Sequence, residues 1–152
     1  MRIRGEKDRP MNEDGLVTPQ NQTLLFYPSS TAAELNSEFV EKLTGPVTLV
    51  VPDGSWRQAG KVMNRVEALR SVVHVKLPEG PIPRLRLRKE SKVGGLSTFE
   101  AVARAIGLLE SPEAQAKMEA FYKILAERTL WSRAKLTLQE CETEIPRSAL
   151  YR

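Results

Sequence analysis

At 152 residues and 17.1 kDa the chain suits a single domain that buries its own core, and its one cysteine, Cys141, excludes an internal disulfide or a CxxC-type zinc site. Apolar residues at 41% and charged residues at 28% describe a soluble folded chain, and no apolar run approaches the roughly 20 residues of a membrane-spanning helix. The formal net charge of +4 points toward anionic partners, and residues 84–92, RLRLRKESK, carry that much charge by themselves.

The opening residues, MRIRGEKDRPMNEDG, hold no apolar stretch of the kind a secretory signal needs, so the expected compartment is cytoplasmic. Residues 1–22 are polar and without period, an irregular lead-in. Residues 23–27 (TLLFY) form a short apolar run stopped by Pro28, which predicts a buried strand. Ser29 or Ser30 can cap a helix over residues 31–43, with Leu35, Phe39 and Leu43 on one face. Gly45-Pro46 ends it, and residues 47–51 (VTLVV) predict a second strand. A sharp turn at Pro52-Asp53-Gly54-Ser55 leads into a helix with Trp56, Ala59, Met63 and Val66 on its apolar stripe.

Residues 72–77 (VVHVKL) predict a third strand. The segment 78–95, with three prolines, the basic run and Gly94-Gly95, is too long and too charged for a plain connector. Ser97-Thr98-Phe99-Glu100 has capping-box spacing, and Ser111-Pro112 opens a further helix whose apolar stripe is Met118, Phe121, Tyr122, Leu125 and Leu130, expected in the core. Residues 136–152 read as a tail. Apolar strands alternating with helices are the pattern of an α/β fold, a parallel sheet with helices on both faces, within one domain over 1–152.

Ligands of such sheets bind beyond the carboxyl ends of the strands. Two segments fall there. At Asp53-Gly54-Ser55-Trp56 a carboxylate can take a proton, a glycine admits close backbone approach, and an indole can stack on a base or a sulfonium; the plainer alternative is a helix cap beside a core tryptophan. At residues 94–98, Gly94-Gly95-Leu96-Ser97-Thr98, a helix N-terminus can hold polar ligand groups or be only a cap. His74, inside an apolar strand with no Cys or Asp nearby in sequence, reads as a core or sheet-surface residue, and Cys141, among acids, has no activating base. No metal site is expected. In the basic run, Arg84, Arg86 and Arg88 alternate with Leu85 and Leu87, so in an extended segment the arginines share one face.

These blocks resemble the DTW-domain proteins. VVPDGSWRQAGKV is similar to that family's signature of an Asp, a small polar residue and a Trp after a buried strand, with Ser55 in place of the usual Thr. LRLRKESKVGGLSTFEAVARAIGLLE resembles the family's basic segment and following helix start, and RGEKDRPMN and LLFYPSS resemble its approach to the core. The likeness covers most of residues 4–130. The family's N-terminal part, with its cysteine clusters, is expected to be missing from this chain.

The resemblance implies a SPOUT-like fold, similar to the knotted methyltransferases. It implies a tRNA-uridine aminocarboxypropyltransferase, which moves the 3-amino-3-carboxypropyl group of S-adenosylmethionine to N3 of a uridine in tRNA and releases methylthioadenosine. Asp53 then matches the residue that takes the N3 proton, with burial beside Trp56 expected to raise its pKa. Trp56 would face the reacting arm or the sulfonium. Pro52, Gly54, Ser55, Leu96, Ser97 and Thr98 would hold the cofactor, and Arg57, Lys61, Arg84, Arg86 and Arg88 would meet tRNA phosphates. The competing expectation is a non-catalytic RNA-binding fragment or partner subunit that uses residues 84–92. The number of subunits is left open.

Overall fold

The computed structural model describes residues 17–81, 85, 87 and 95–149, with the backbone alone at 56, 63, 64 and 149. The chain divides between Pro78 and Glu79 into two compact units.

The first unit is built on a sheet of four parallel strands: β1 (Gln22–Phe26), β2 (Ala33–Glu34), β3 (Val47–Val50) and β4 (Val73–Lys76), in the spatial order β2-β4-β1-β3. The three expected strands are present, each within a residue or two of its expected ends. An all-parallel sheet with intervening helices makes the fold α/β. Leu25 of β1 lies in register with His74 on one side and Val50 on the other. It is fully buried with Val66 and Leu69, against Tyr27, Val50, Val62 and Val72. Its neighbour Leu24, pointing to the opposite face, is also buried, so β1 is covered on both faces.

Helix α2 (Trp56–Arg65) supplies part of that cluster. Ala59 and Val66 are buried, as the expected stripe requires; the side chains of Trp56 and Met63 lie outside the described residues.

The helix expected over residues 31–43 is not formed as such. Its first half is the edge strand β2, in which Ala33 pairs with Val75 and Glu34 with Lys76, and the N–H of Leu35 donates to the Lys76 carbonyl at 2.8 Å. Only α1 (Ser37–Glu41) is helical. The cap is Asn36, whose side chain accepts from the Phe39 N–H at 2.9 Å, rather than Ser29 or Ser30. Pairing with β4 outweighs local helical periodicity here, and it buries Leu35 completely.

The second unit is dominated by α3 (Thr98–Leu109) and α4 (Pro112–Ser132). Both begin as the caps dictate, at Ser97 with its Glu100 partner and at Ser111 followed by Pro112. Phe99 stacks on Tyr122 with ring centroids 5.2 Å apart. Gly107 lets the helices close: a Cβ there would stand 2.8 Å from the Cβ of Gln115.

The α4 stripe is displaced from the expected one. Tyr122, Ala126 and Leu130 form the buried line at four-residue spacing, whereas Phe121 is 61% and Leu125 45% exposed. Each of those two precedes a buried position and so sits about 100° around the helix from it.

Glu127 faces inward with that buried line and is 1% exposed. It holds the segment after the helix: its carboxylate accepts from the Glu142 N–H at 3.1 Å, from the Thr143 N–H at 2.7 Å and from the Thr143 hydroxyl. Lys123 pairs with Glu142 beside it, and Ile145 is buried. The residues read as a tail are therefore anchored at least through Ile145.

Burial pushes the Glu127 carboxyl up, but the Thr143 and Glu142 bonds and the charge of Lys123 outweigh it and hold the group below its ordinary value of 4.5. A group depressed in the folded chain adds stability that is complete above the ordinary value and is lost as pH falls through the lower folded one. Glu127→Gln is expected to cost about 2 kcal/mol near neutral pH, since one acceptor becomes a donor facing N–H groups. The gap to wild type should close below about pH 4. Thermal unfolding at stepped pH checks this; a gap unchanged into acid would show that the charge of Glu127 is not what anchors the segment.

Candidate functional site

Because every strand runs the same way, Phe26, Glu34, Val50 and Lys76 end along one edge of the sheet. That edge is where open α/β sheets bind ligands. Val51, Pro52, Asp53 and Gly54 leave it from β3, and Ser55 begins α2. Gly54 has φ 141°, a region that disfavours any side chain, and a Cβ there would lie 3.2 Å from Gln58 Oε1. Pro52 is half-buried, while Asp53, Gly54 and Ser55 are exposed. The expected burial of Asp53 is thus not met.

Ser55 is a helix cap. Its N–H donates to Gln58 Oε1 at 2.9 Å, its hydroxyl donates to the same oxygen at 2.8 Å, and its Oγ accepts from the Gln58 N–H at 3.4 Å. Ser97 repeats the arrangement in the second unit. There the N–H and the hydroxyl donate to Glu100 Oε2 at 2.9 and 2.6 Å, and Oγ accepts from the Glu100 N–H at 3.3 Å. Leu96 is half-buried and Thr98 exposed. The polar groups of both serines are thus engaged in capping, which also satisfies the Gln58 and Glu100 N–H groups; the N–H groups of the first two residues of each helix lack an acceptor one turn earlier in the helix.

Arg57 and Lys61 are exposed on α2. Arg84, Arg86 and Arg88, with Gly94, lie outside the described residues, while Leu85 and Leu87 are half-buried.

The structure adds side chains to the same edge. Tyr27 and Ser29 follow β1, the strand beside β3; the Tyr27 hydroxyl would stand 3.0 Å from a Cβ at Gly60 of α2. Ser29 Oγ lies 3.1 Å from Nδ1 of His74, which is half-buried on β4, a strand residue as expected, with a partner that its own segment does not show. Nothing in sequence joins residues 45 apart; only the β1–β4 pairing does. Arg65, exposed near the end of α2, was legible as the third cation at four-residue spacing after Arg57 and Lys61.

Burial, and then the charges of Glu127 and Glu140, push the Cys141 thiol up, which leaves it a poor nucleophile. Among the described residues no group of three or more His, Cys, Asp or Glu side chains is placed to hold a metal ion. No described helix is long and apolar enough to cross a membrane.

A family profile described as "DTW domain" matches residues 2–130. The chain is 40% identical over 90 residues to a Drosophila melanogaster protein named tRNA-uridine aminocarboxypropyltransferase 2, an alignment covering 59% of this chain and 35% of that one. It is 29% identical over 94 residues to the protein of that name from Macaca fascicularis, covering 62% and 32% of the two chains. The Mus musculus protein of the same name is 28% identical over 94 residues, with the same coverage. The chain spans about a third of the length of these curated relatives. No solved structure matches it.

The turn at residues 53–55 has a measurable requirement. Ser55→Ala is expected to lower the unfolding free energy by about 1 kcal/mol through the lost cap. Gly54→Ala should cost about 1–3 kcal/mol, because the backbone must leave its positive φ or carry the strain. Denaturant titration of both variants checks this, and a Gly54→Ala protein as stable as wild type would show that the turn does not depend on glycine.

Proposed function

The chain belongs to the DTW domain family, and on that premise we propose that it is a tRNA-modifying transferase that moves a 3-amino-3-carboxypropyl group from S-adenosylmethionine to N3 of a uridine. The observation that carries this reading is the exposed turn Asp53-Gly54-Ser55, which resembles the family signature, at the carboxyl edge of the sheet and followed by a cationic helix.

The residues of that edge fit such a cofactor. At the edge of the first unit, Gly54 presents backbone with no side chain in the way, and the half-buried Pro52 offers apolar surface. With Ser55 engaged in capping, the donors there for its polar groups are the N–H groups of the first two residues of α2. When bound, S-adenosylmethionine supplies the transferred group already activated by its sulfonium, with methylthioadenosine as the leaving product. The protein's own task is orientation and proton management.

Uridine N3 carries a proton at neutral pH and is a poor nucleophile until it is lost. Asp53 accepts that proton or orients the uracil edge while water carries it away. The exposure of Asp53 favours the second role, since water reaches the turn that carries it. By the resemblance Trp56 is the residue meant for the reacting arm, and Arg57 and Lys61 meet the phosphates that flank a uridine splayed out of its stack.

A non-catalytic RNA-binding role is the competing reading, supported by the exposed cations of α2 and the basic composition of residues 84–92. One assay separates the two. Unmodified tRNA incubated with the chain and S-adenosylmethionine should yield a uridine heavier by the aminocarboxypropyl group, with methylthioadenosine in equal amount, both read by mass spectrometry. Asp53→Asn should keep the fold and slow single-turnover transfer by about 10²-fold, the low end for a positioned acid or base. Binding of tRNA without either product would establish the non-catalytic reading, and wild-type rates in Asp53→Asn would remove that residue from the chemistry.

A further inference from the structure

Helix α2 reads WRQAGKVMNR, with three cations and no acid in ten residues. Arg57, Lys61 and Arg65 are all exposed. Successive members are four residues apart, which advances each by about 6 Å along the axis and about 40° around it. The three therefore form a slowly winding line on the side turned away from Ala59, Val62 and Val66, which face the core. Among the described residues none of the three is seen in an ion pair, whereas Lys42 pairs with Glu38 and Lys123 with Glu142.

This arrangement works against the helix that carries it. Like charges at i,i+4 repel, and the line contains two such pairs. Arg57 also sits in the first turn, at the positive end of the helix dipole, where an acid is favoured and none is present. Asp53 and Glu67 flank the helix, but among the described residues no ion pair to the three cations is seen, so an anion from outside the chain is a natural counterpart.

The geometry narrows that anion. The described apolar side chains of α2, Ala59 and Val62, and Val66 after it face the core, so among the described side chains the line offers charge without the apolar anchors that a membrane surface or a protein partner would engage. A rise of about 6 Å per step is comparable with the separation of neighbouring phosphates along a nucleic-acid strand. The line also starts within a turn of helix from Asp53 and Gly54 and leads away from them.

We propose that α2 is the track along which the RNA strand carrying the target nucleotide lies, with Arg57, Lys61 and Arg65 each meeting a successive backbone phosphate. This rests on the RNA-modifying reading above and adds Arg65 and a direction to it. Contacts to phosphate position a strand without reading its sequence, so the track holds the register in which one nucleotide reaches the turn at residues 53–55.

The test uses the full chain and an unmodified tRNA transcript, titrated between about 50 and 200 mM salt. Glutamine is the replacement, because its helix propensity is close to that of Arg and Lys. Arg65→Gln should reduce the slope of log affinity against log salt by about 0.7, and Arg57→Gln, Lys61→Gln and Arg65→Gln together by about 2, as for single-strand contacts. Lys117→Gln, an exposed cation of α4, should leave the slope unchanged. The thermal midpoint of the triple variant should stay level or rise, since repulsion is removed. A wild-type slope in the triple variant, an equal effect from Lys117→Gln, or a lowered midpoint would overturn the track and leave the RNA-modifying reading standing. No tRNA binding by the wild-type chain would overturn both.

Discussion

The pairing of β1 between β4 and β3 is the constraint on which the rest of the first unit depends. Leu25 stands opposite His74 and Val50 at once, and its burial with Val66 and Leu69 locks that register, since a slip of one residue would turn every side chain of β1 to the other face. The same parallel register sends the ends of all four strands to one edge. Three consequences share this one cause. The turn at residues 53–55 emerges there, Tyr27 and Ser29 emerge one strand away, and His74 on the next strand comes within 3.1 Å of Ser29. A chemically mixed edge thus arises from an apolar pairing.

Capping decides which of the edge and helix-start residues are available for other work. Ser55 and Ser97 have the hydroxyls and N–H groups that a ligand could use, yet each closes a reciprocal box with Gln58 or Glu100. A cap of this kind is worth about 1 kcal/mol and starts the helix in one place. Beyond those caps the edge presents the exposed turn at residues 53–54 and the cations of α2. In the second unit Glu127 plays a comparable structural part, because a carboxylate with inward-facing N–H and hydroxyl donors is stable only while they stay in place.

Residues that act over four positions or fewer were legible in the sequence. The capping box at Ser97, the Ser111-Pro112 helix start, the apolar runs of β1, β3 and β4 and the sharp turn at residues 52–55 follow from local rules and are found where those rules put them; the reciprocal box of Ser55 with Gln58 obeys the same spacing. The α/β class follows from their alternation. The two contiguous blocks that resemble the DTW family lie within the stretch its profile matches, residues 2–130, and motifs of contiguous residues are legible without any knowledge of the fold.

The features that only the tertiary structure decided need partners far along the chain. Residues 31–43 had helical periodicity, but a carbonyl at Lys76 and the pairing of Ala33 with Val75 drew their first half into β2. His74 had no partner in its own segment and found Ser29 through strand pairing. Phe121 and Leu125 lay on an apolar stripe that the packing of α4 turned partly to solvent, while Glu127, which composition would place outside, was drawn in by Glu142 and Thr143. Asp53 was expected in a buried niche and stands exposed, because the burial of a turn depends on what packs above it and not on its own residues. Local backbone chemistry therefore set where elements begin and end, and long-range hydrogen bonding and burial set which side chains meet.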